Sequence, residues 1–165
     1  MIRRILVIFI KIVIAVSFIV TLNRIFMPKY INENQDGRIT GEYYREEGKS
    51  DVIFVGSSTV YSGVSPIQLF KDYGITSYDR SNASQTTWIS YYMIEDAIKY
   101  SKPRLVCFDV SFSRNDDNYV EEASTRKALD GMRFGISKIN CINEAMGEDE
   151  KLIEYLFPLF RFHSR

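Results

Sequence analysis

The chain has 165 residues, 45% of them apolar and 25% charged, which fits one domain and excludes a chain that is disordered throughout. Its formal charge of zero conceals an asymmetry: residues 1–30 hold five basic side chains (Arg3, Arg4, Lys11, Arg24, Lys29) and no acidic one, leaving 16 basic against 21 acidic groups in the rest, a balance of −5. A body so charged argues against nucleic acid as a partner, because phosphate binding rests on Lys and Arg, and the two cysteines, Cys107 and Cys141, give neither a disulfide framework nor a metal-ligand spacing.

Met1-Ile-Arg-Arg4 is a basic leader, and Ile5 to Leu22 follows with Lys11 as its only charge. Fourteen of those 18 residues are Leu, Ile, Val or Phe. They favour insertion into a bilayer by about 6 kcal/mol, against about 3 kcal/mol for one central lysine. Lys11 lies toward the Arg3/Arg4 end, where its stem reaches the headgroups. Ala15-Val-Ser17 is a small-x-small signal-peptidase pattern, but the apolar run continues past it, so the expectation is an uncleaved anchor. The chain then divides into a cytoplasmic leader and transmembrane anchor (1–24), a linker with a short helix (25–50) and an α/β domain (51–165). Arg3 and Arg4 favour a cytoplasmic N-terminus and an extracytoplasmic body in the cell membrane.

Residues 32–37, Asn-Glu-Asn-Gln-Asp-Gly, are turn chemistry, and Thr40 to Glu47 reads as a helix closed by Gly48. Asp51-Val-Ile-Phe-Val55 predicts a buried strand. Ser65-Pro-Ile-Gln68 is a capping box that opens a helix to Tyr73, with Gly74 as its stop. Ile75 to Asp79 is a second strand. Thr87 to Tyr100 reads as the clearest helix, with Trp88, Tyr91, Ile94 and Ile98 as its apolar face and Pro103 beyond its end. Leu105 to Val110 is a third strand. Helices are expected over 121–129, 136–146 and 148–156, where Glu148-Asp-Glu150 suits a helix start. Alternating strands and helices with short links predict parallel strands in the order 2-1-3, flanked by helices and preceded by one transmembrane helix. Three parallel strands leave both edges open, and Tyr155-Leu-Phe-Pro-Leu-Phe-Arg-Phe162 is strongly apolar. Both features suggest an incomplete fold that continues beyond Arg165.

Ligands of open α/β sheets sit at the carboxyl ends of the strands, near the point where strand order reverses. Gly56-Ser57-Ser58-Thr59 follows the central strand directly, so its hydroxyls are the first candidates for chemistry. Asn115-Asp-Asp-Asn118 reads as a solvated turn rather than a cation loop. No metal ligand set is expected.

The stretch Asp51-Val-Ile-Phe-Val-Gly-Ser-Ser-Thr-Val-Tyr-Ser-Gly-Val-Ser-Pro66 resembles the first block of SGNH/GDSL-type hydrolases. It looks most like their membrane-anchored branch in Gram-positive bacteria, akin to proteins of D-alanyl transfer and O-acetyl transfer. Tyr73-Gly-Ile-Thr-Ser-Tyr78, Asn82-Ala-Ser-Gln85, Trp88 through Tyr92, Lys102-Pro103, Leu129-Asp-Gly-Met132 and Phe157-Pro-Leu-Phe-Arg-Phe-His-Ser-Arg165 extend the likeness over most of residues 42–165. The resemblance implies an SGNH/flavodoxin-like fold, with Ser58 as the nucleophile and Gly56 and Ser57 beside it. Ser57 stands where the family has aspartate. Ser81-Asn82-Ala83 lacks the glycine of the second block, leaving the Asn82 amide as the oxyanion donor. Asp109-Val-Ser-Phe-Ser113 stands at the third block. Asp-x-x-His, which carries the general base, is unmatched, because Phe160 precedes the only histidine, His163, by three residues.

The implied function is a membrane-anchored serine ester hydrolase or acyltransferase. Its substrates would be acyl esters or cell-envelope glycans, with no cofactor, and this chain alone would be inactive for want of a base. The rival is a non-catalytic anchored module that binds a glycan or a partner. A nucleotide-binding domain is disfavoured, since neither Gly-x-Gly-x-x-Gly nor a Gly-Lys-Ser/Thr cradle follows the first strand.

Overall fold

The computed structural model describes residues 2–27, 35–46, 48–111 and 119–162, without the side chains of 35–37. Helix α1 (Ile2–Ile25) buries none of its residues against the body. It is long and apolar enough to cross a membrane. Its 24 residues, at about 1.5 Å each, exceed a hydrocarbon core of about 30 Å.

The body runs α2 (Gln35–Tyr43), β1 (Val52–Gly56), α3 (Ser58–Gly63), α4 (Pro66–Tyr73), β2 (Ser77–Ser81), α5 (Thr87–Tyr100) and β3 (Leu105–Phe108). Then follow α6 (Glu122–Leu129), α7 (Ile136–Ala145), α8 (Leu152–Leu156) and α9 (Pro158–Phe162). The three strands form one parallel sheet in the order β2-β1-β3, as the alternation predicts. Phe54 lies opposite Asp79 on one side and Cys107 on the other. Ile53 and Val55 of the central strand pack with Ile89, Met93 and Ala97 of α5, Leu129 of α6, Ile142 of α7 and Tyr155 of α8. Helices α5 to α8 thus supply most of the core that the sheet lacks.

Local chemistry explains the element ends. Ser65 Oγ accepts from the Gln68 N–H at 3.2 Å, and Gly74 closes α4 at φ 68°. Helix α2 begins earlier than the sequence suggests, taking in Gln35 to Gly37, and gives way to a turn before Gly48 at φ 77°. The expected helix over 148–156 starts only at Leu152. The Glu150 carboxylate is held ahead of it by Tyr119 Oη at 2.7 Å, Tyr155 Oη at 2.5 Å and the Gly147 N–H at 3.0 Å. These bonds fix residues 147–150 as a turn.

Helix α5 has the expected limits but faces the other way. Ile89, Ser90, Met93, Asp96 and Ala97 are buried; of the expected apolar face only Ile94 packs against the core, whereas Trp88, Tyr91 and Ile98 are exposed. The inward polar residues have partners. Asp96 accepts from Arg80 Nη1 at 3.0 Å and from Tyr44 Oη at 2.9 Å. Arg80 is fully buried, also donates to the Met93 carbonyl, and lies 3.9 Å from the Tyr43 ring centroid. Burial pushes the Tyr44 hydroxyl up to about 12, so it stays a neutral donor. A buried ion pair, in which only Arg80 Nε is buried without a partner among the described residues, therefore joins β2, α5 and the turn after α2.

Candidate active site

Strand β1, central between β2 and β3, delivers its last residues to the carboxyl end of the sheet. Gly56 pairs with Ser81, and the Asp109 N–H donates to the Val55 carbonyl at 2.9 Å. An added β-carbon on Gly56 would stand 2.5 Å from Val60 Cγ2 and 2.6 Å from Asp109 Cβ. Close approach, rather than an unusual backbone angle, is what requires glycine here. The chain then turns into α3, a short helix to which the sequence pattern assigns no element.

Ser57 is extended at the head of α3, with no capping bond from its side chain. Its buried hydroxyl meets Thr59 Oγ1 at 3.1 Å. Ser58 is the first residue of α3 and is exposed. Its hydroxyl has no hydrogen-bond partner among the described residues. Thr59 points instead to Asp109, donating a short hydrogen bond to its carboxylate. The Ser111 N–H and hydroxyl donate to the same carboxylate at 2.9 and 2.8 Å. Thr59 first, then Ser111, hold the Asp109 pKa below its ordinary value. The link ties the ends of β1 and β3 together beneath Ser58. The sequence reading runs the third strand on to Val110, but β3 ends at Phe108, which frees Asp109 to meet Thr59, a pairing that the sequence alone does not show.

Asn82 directly follows β2 and is fully buried. Its Nδ2 donates to Thr40 Oγ1 at 3.3 Å and to Gln85 Oε1 at 3.2 Å. Gln85 donates in turn to the Arg80 carbonyl and to Ser90 Oγ. Both Asn82 N–H bonds are thereby occupied within the body. In this arrangement Asn82 braces the loop after β2, and it reaches an oxyanion only by giving up one of those partners. The amide nitrogen faces Thr40 and Gln85, while the buried Asn82 Oδ1 has no hydrogen-bond partner among the described residues.

Among the described residues no histidine, and no group of three or more His, Cys, Asp or Glu suited to a metal ion, is present. His163 and residues 115–118 lie outside those described. A groove of about 660 Å³ lies at the outer edge of β2, between α2 and α4, and Ser58 does not line it. Comparison with protein-family models, with curated proteins and with solved structures finds no match.

Proposed function

We propose that this protein is a membrane-anchored serine ester hydrolase or acyltransferase of the SGNH/GDSL type, acting outside the cytoplasmic membrane on acyl or glycan groups of the cell envelope. The supporting observation is the place of Ser58: an exposed hydroxyl just beyond the carboxyl end of the central parallel strand, where the strand order reverses. In this reading Ser58 Oγ attacks the acyl carbonyl. Its proton passes to a base from outside the described residues, and the bond to the leaving alcohol breaks to give an acyl-serine ester. Water or a glycan hydroxyl then takes the acyl group. The Ser58 N–H stabilises the oxyanion. Asp109 acts indirectly, holding Thr59 and hence the turn that carries the nucleophile.

The test is covalent labelling by a fluorophosphonate, carried out on the whole gene product in native membranes. Ser58→Ala should abolish labelling and Ser57→Ala should leave it. Labelling that survives Ser58→Ala removes the mechanism. A second reading, a non-catalytic anchored module, is favoured by a Ser58 hydroxyl without a partner among the described residues and by the occupied Asn82 amide nitrogen. An unlabelled protein that still retains envelope glycan would support it.

A further inference from the structure

The apolar segment near residue 160 has a neighbour that the sequence does not suggest. The Leu159 N–H donates to Asn23 Oδ1 at 3.3 Å, so α9 rests against the end of α1. Asn23 follows immediately on the apolar run 5–22 and marks the depth at which that helix meets polar surroundings. Leu159 is therefore held at the same depth. Around it Phe160 is 53% exposed and Ile153 is 44% exposed, while Leu156, Phe157 and Phe162 are half-buried.

This segment is fixed to the body rather than loosely appended. Tyr155 is buried, and the Arg126 guanidinium lies 4.2 Å from its ring centroid and 5.4 Å from that of Phe162. Arg161 forms a bidentate pair with Glu122, with both bonds at 2.7 Å. Arg161 first, and Arg126 Nε at 2.7 Å as well, lower the Glu122 pKa to about 2, so the carboxylate stays charged between two guanidinium groups.

We infer that α8 and α9 form an interfacial foot: Phe160 and Ile153 enter the headgroup region of the bilayer that α1 spans, giving the body a second contact with the membrane. The inference rests on reading α1 as a membrane span. Continuity with α1 selects lipid as the occupant, since any group at the depth of Asn23 meets the headgroup layer first. Aromatic and aliphatic side chains at that level gain from partial transfer out of water.

The test uses the full chain carrying Cys107→Ser, reconstituted in phosphatidylcholine vesicles. An environment-sensitive fluorophore is attached at Phe160→Cys, at Ile153→Cys or, for reference, at Ile14→Cys; Cys141 is buried and stays unlabelled. Doxyl-labelled lipids quench from the bilayer, and iodide quenches from water. The Ile14→Cys label should be quenched by deep doxyl groups and spared by iodide. The labels at 160 and 153 should be quenched by shallow doxyl groups, and several-fold less by iodide than the free dye-labelled cysteine is. Iodide access at position 14 would show that the span itself is misread. Lipid quenching at 14, with open iodide access at both 160 and 153, would remove the foot alone. Shielding of 160 and 153 from both quenchers would mean that protein, a second copy included, covers this surface, and would also overturn the inference.

Discussion

Burial in β2 pushes the Asp79 carboxyl from 3.8 up to about 6, against hydrogen bonds from Ser81 that favour the charged form. The folded state therefore holds a proton that the unfolded chain has already released. This group's contribution to stability is fully present below pH 3.8 and is lost as pH rises through about 6. Asp79→Asn should flatten the fall in melting temperature over that interval and raise the melting temperature at neutral pH. Melting curves of the full chain in detergent check this, and an unchanged slope would place the titration elsewhere. The same scale shows what sequence reading reaches at the candidate site. Gly56, Ser57 and Ser58 are identifiable because they directly follow a β-branched run. The bond from Thr59 to Asp109 joins residues 50 apart in the chain, and only the pairing of β1 with β3 brings them together.

Among the elements, α5 is the instructive case. Its limits follow from Thr86 ahead of it and from Lys102-Pro103 beyond, and both ends are readable in the sequence. Its inner face is not, because apolar periodicity assumes that polar residues face water. Here Asp96 and Ser90 turn inward to meet Arg80 and Gln85, and Trp88 and Tyr91 are left outside. Helix α3 is missed for a different reason: its six residues, Ser-Thr-Val-Tyr-Ser-Gly, hold too few turns for any period to show. The Arg80–Asp96 pair has side-chain exposures of 0% and 3%. Removing one partner of such a pair leaves an uncompensated buried charge. Asp96→Ala should cost about 3–5 kcal/mol in equilibrium unfolding. A loss well below 1 kcal/mol would show that water or another acceptor reaches Arg80. The effect should separate α5 from β2 while leaving α1 helical.

For the whole molecule, the proposed orientation makes a direct expectation. Protease added to intact protoplasts should digest residues after α1 and spare Arg3 and Arg4. Protection of the body in sealed cells, with digestion only after lysis, would reverse the topology. The overall layout of the body was legible, since strand, helix, strand, helix, strand with short links admits few arrangements. Less legible was how the last helices close over the sheet. The bonds of Glu150, Arg126 and Arg161 connect segments that no local pattern relates. The resulting body has a central strand buried by α5 and β3 at a more open margin, with Leu105 and Val110 exposed.

The outward turn of α5 has an optical consequence. Trp88 is the chain's single tryptophan, 38% exposed, with the Tyr91 ring centroid 6.1 Å away and Tyr92 5.0 Å beyond that. Light absorbed by those two tyrosines passes to the indole by dipolar transfer, and tryptophan emission, excited beyond the tyrosine band, comes from one place, the first turn after the Asn82–Thr86 loop. Its colour reports how wet that turn is. A ligand settling at the carboxyl end of the sheet, or α5 loosening from β2, should shift it, whereas movements of α1 and α9 should leave it unchanged.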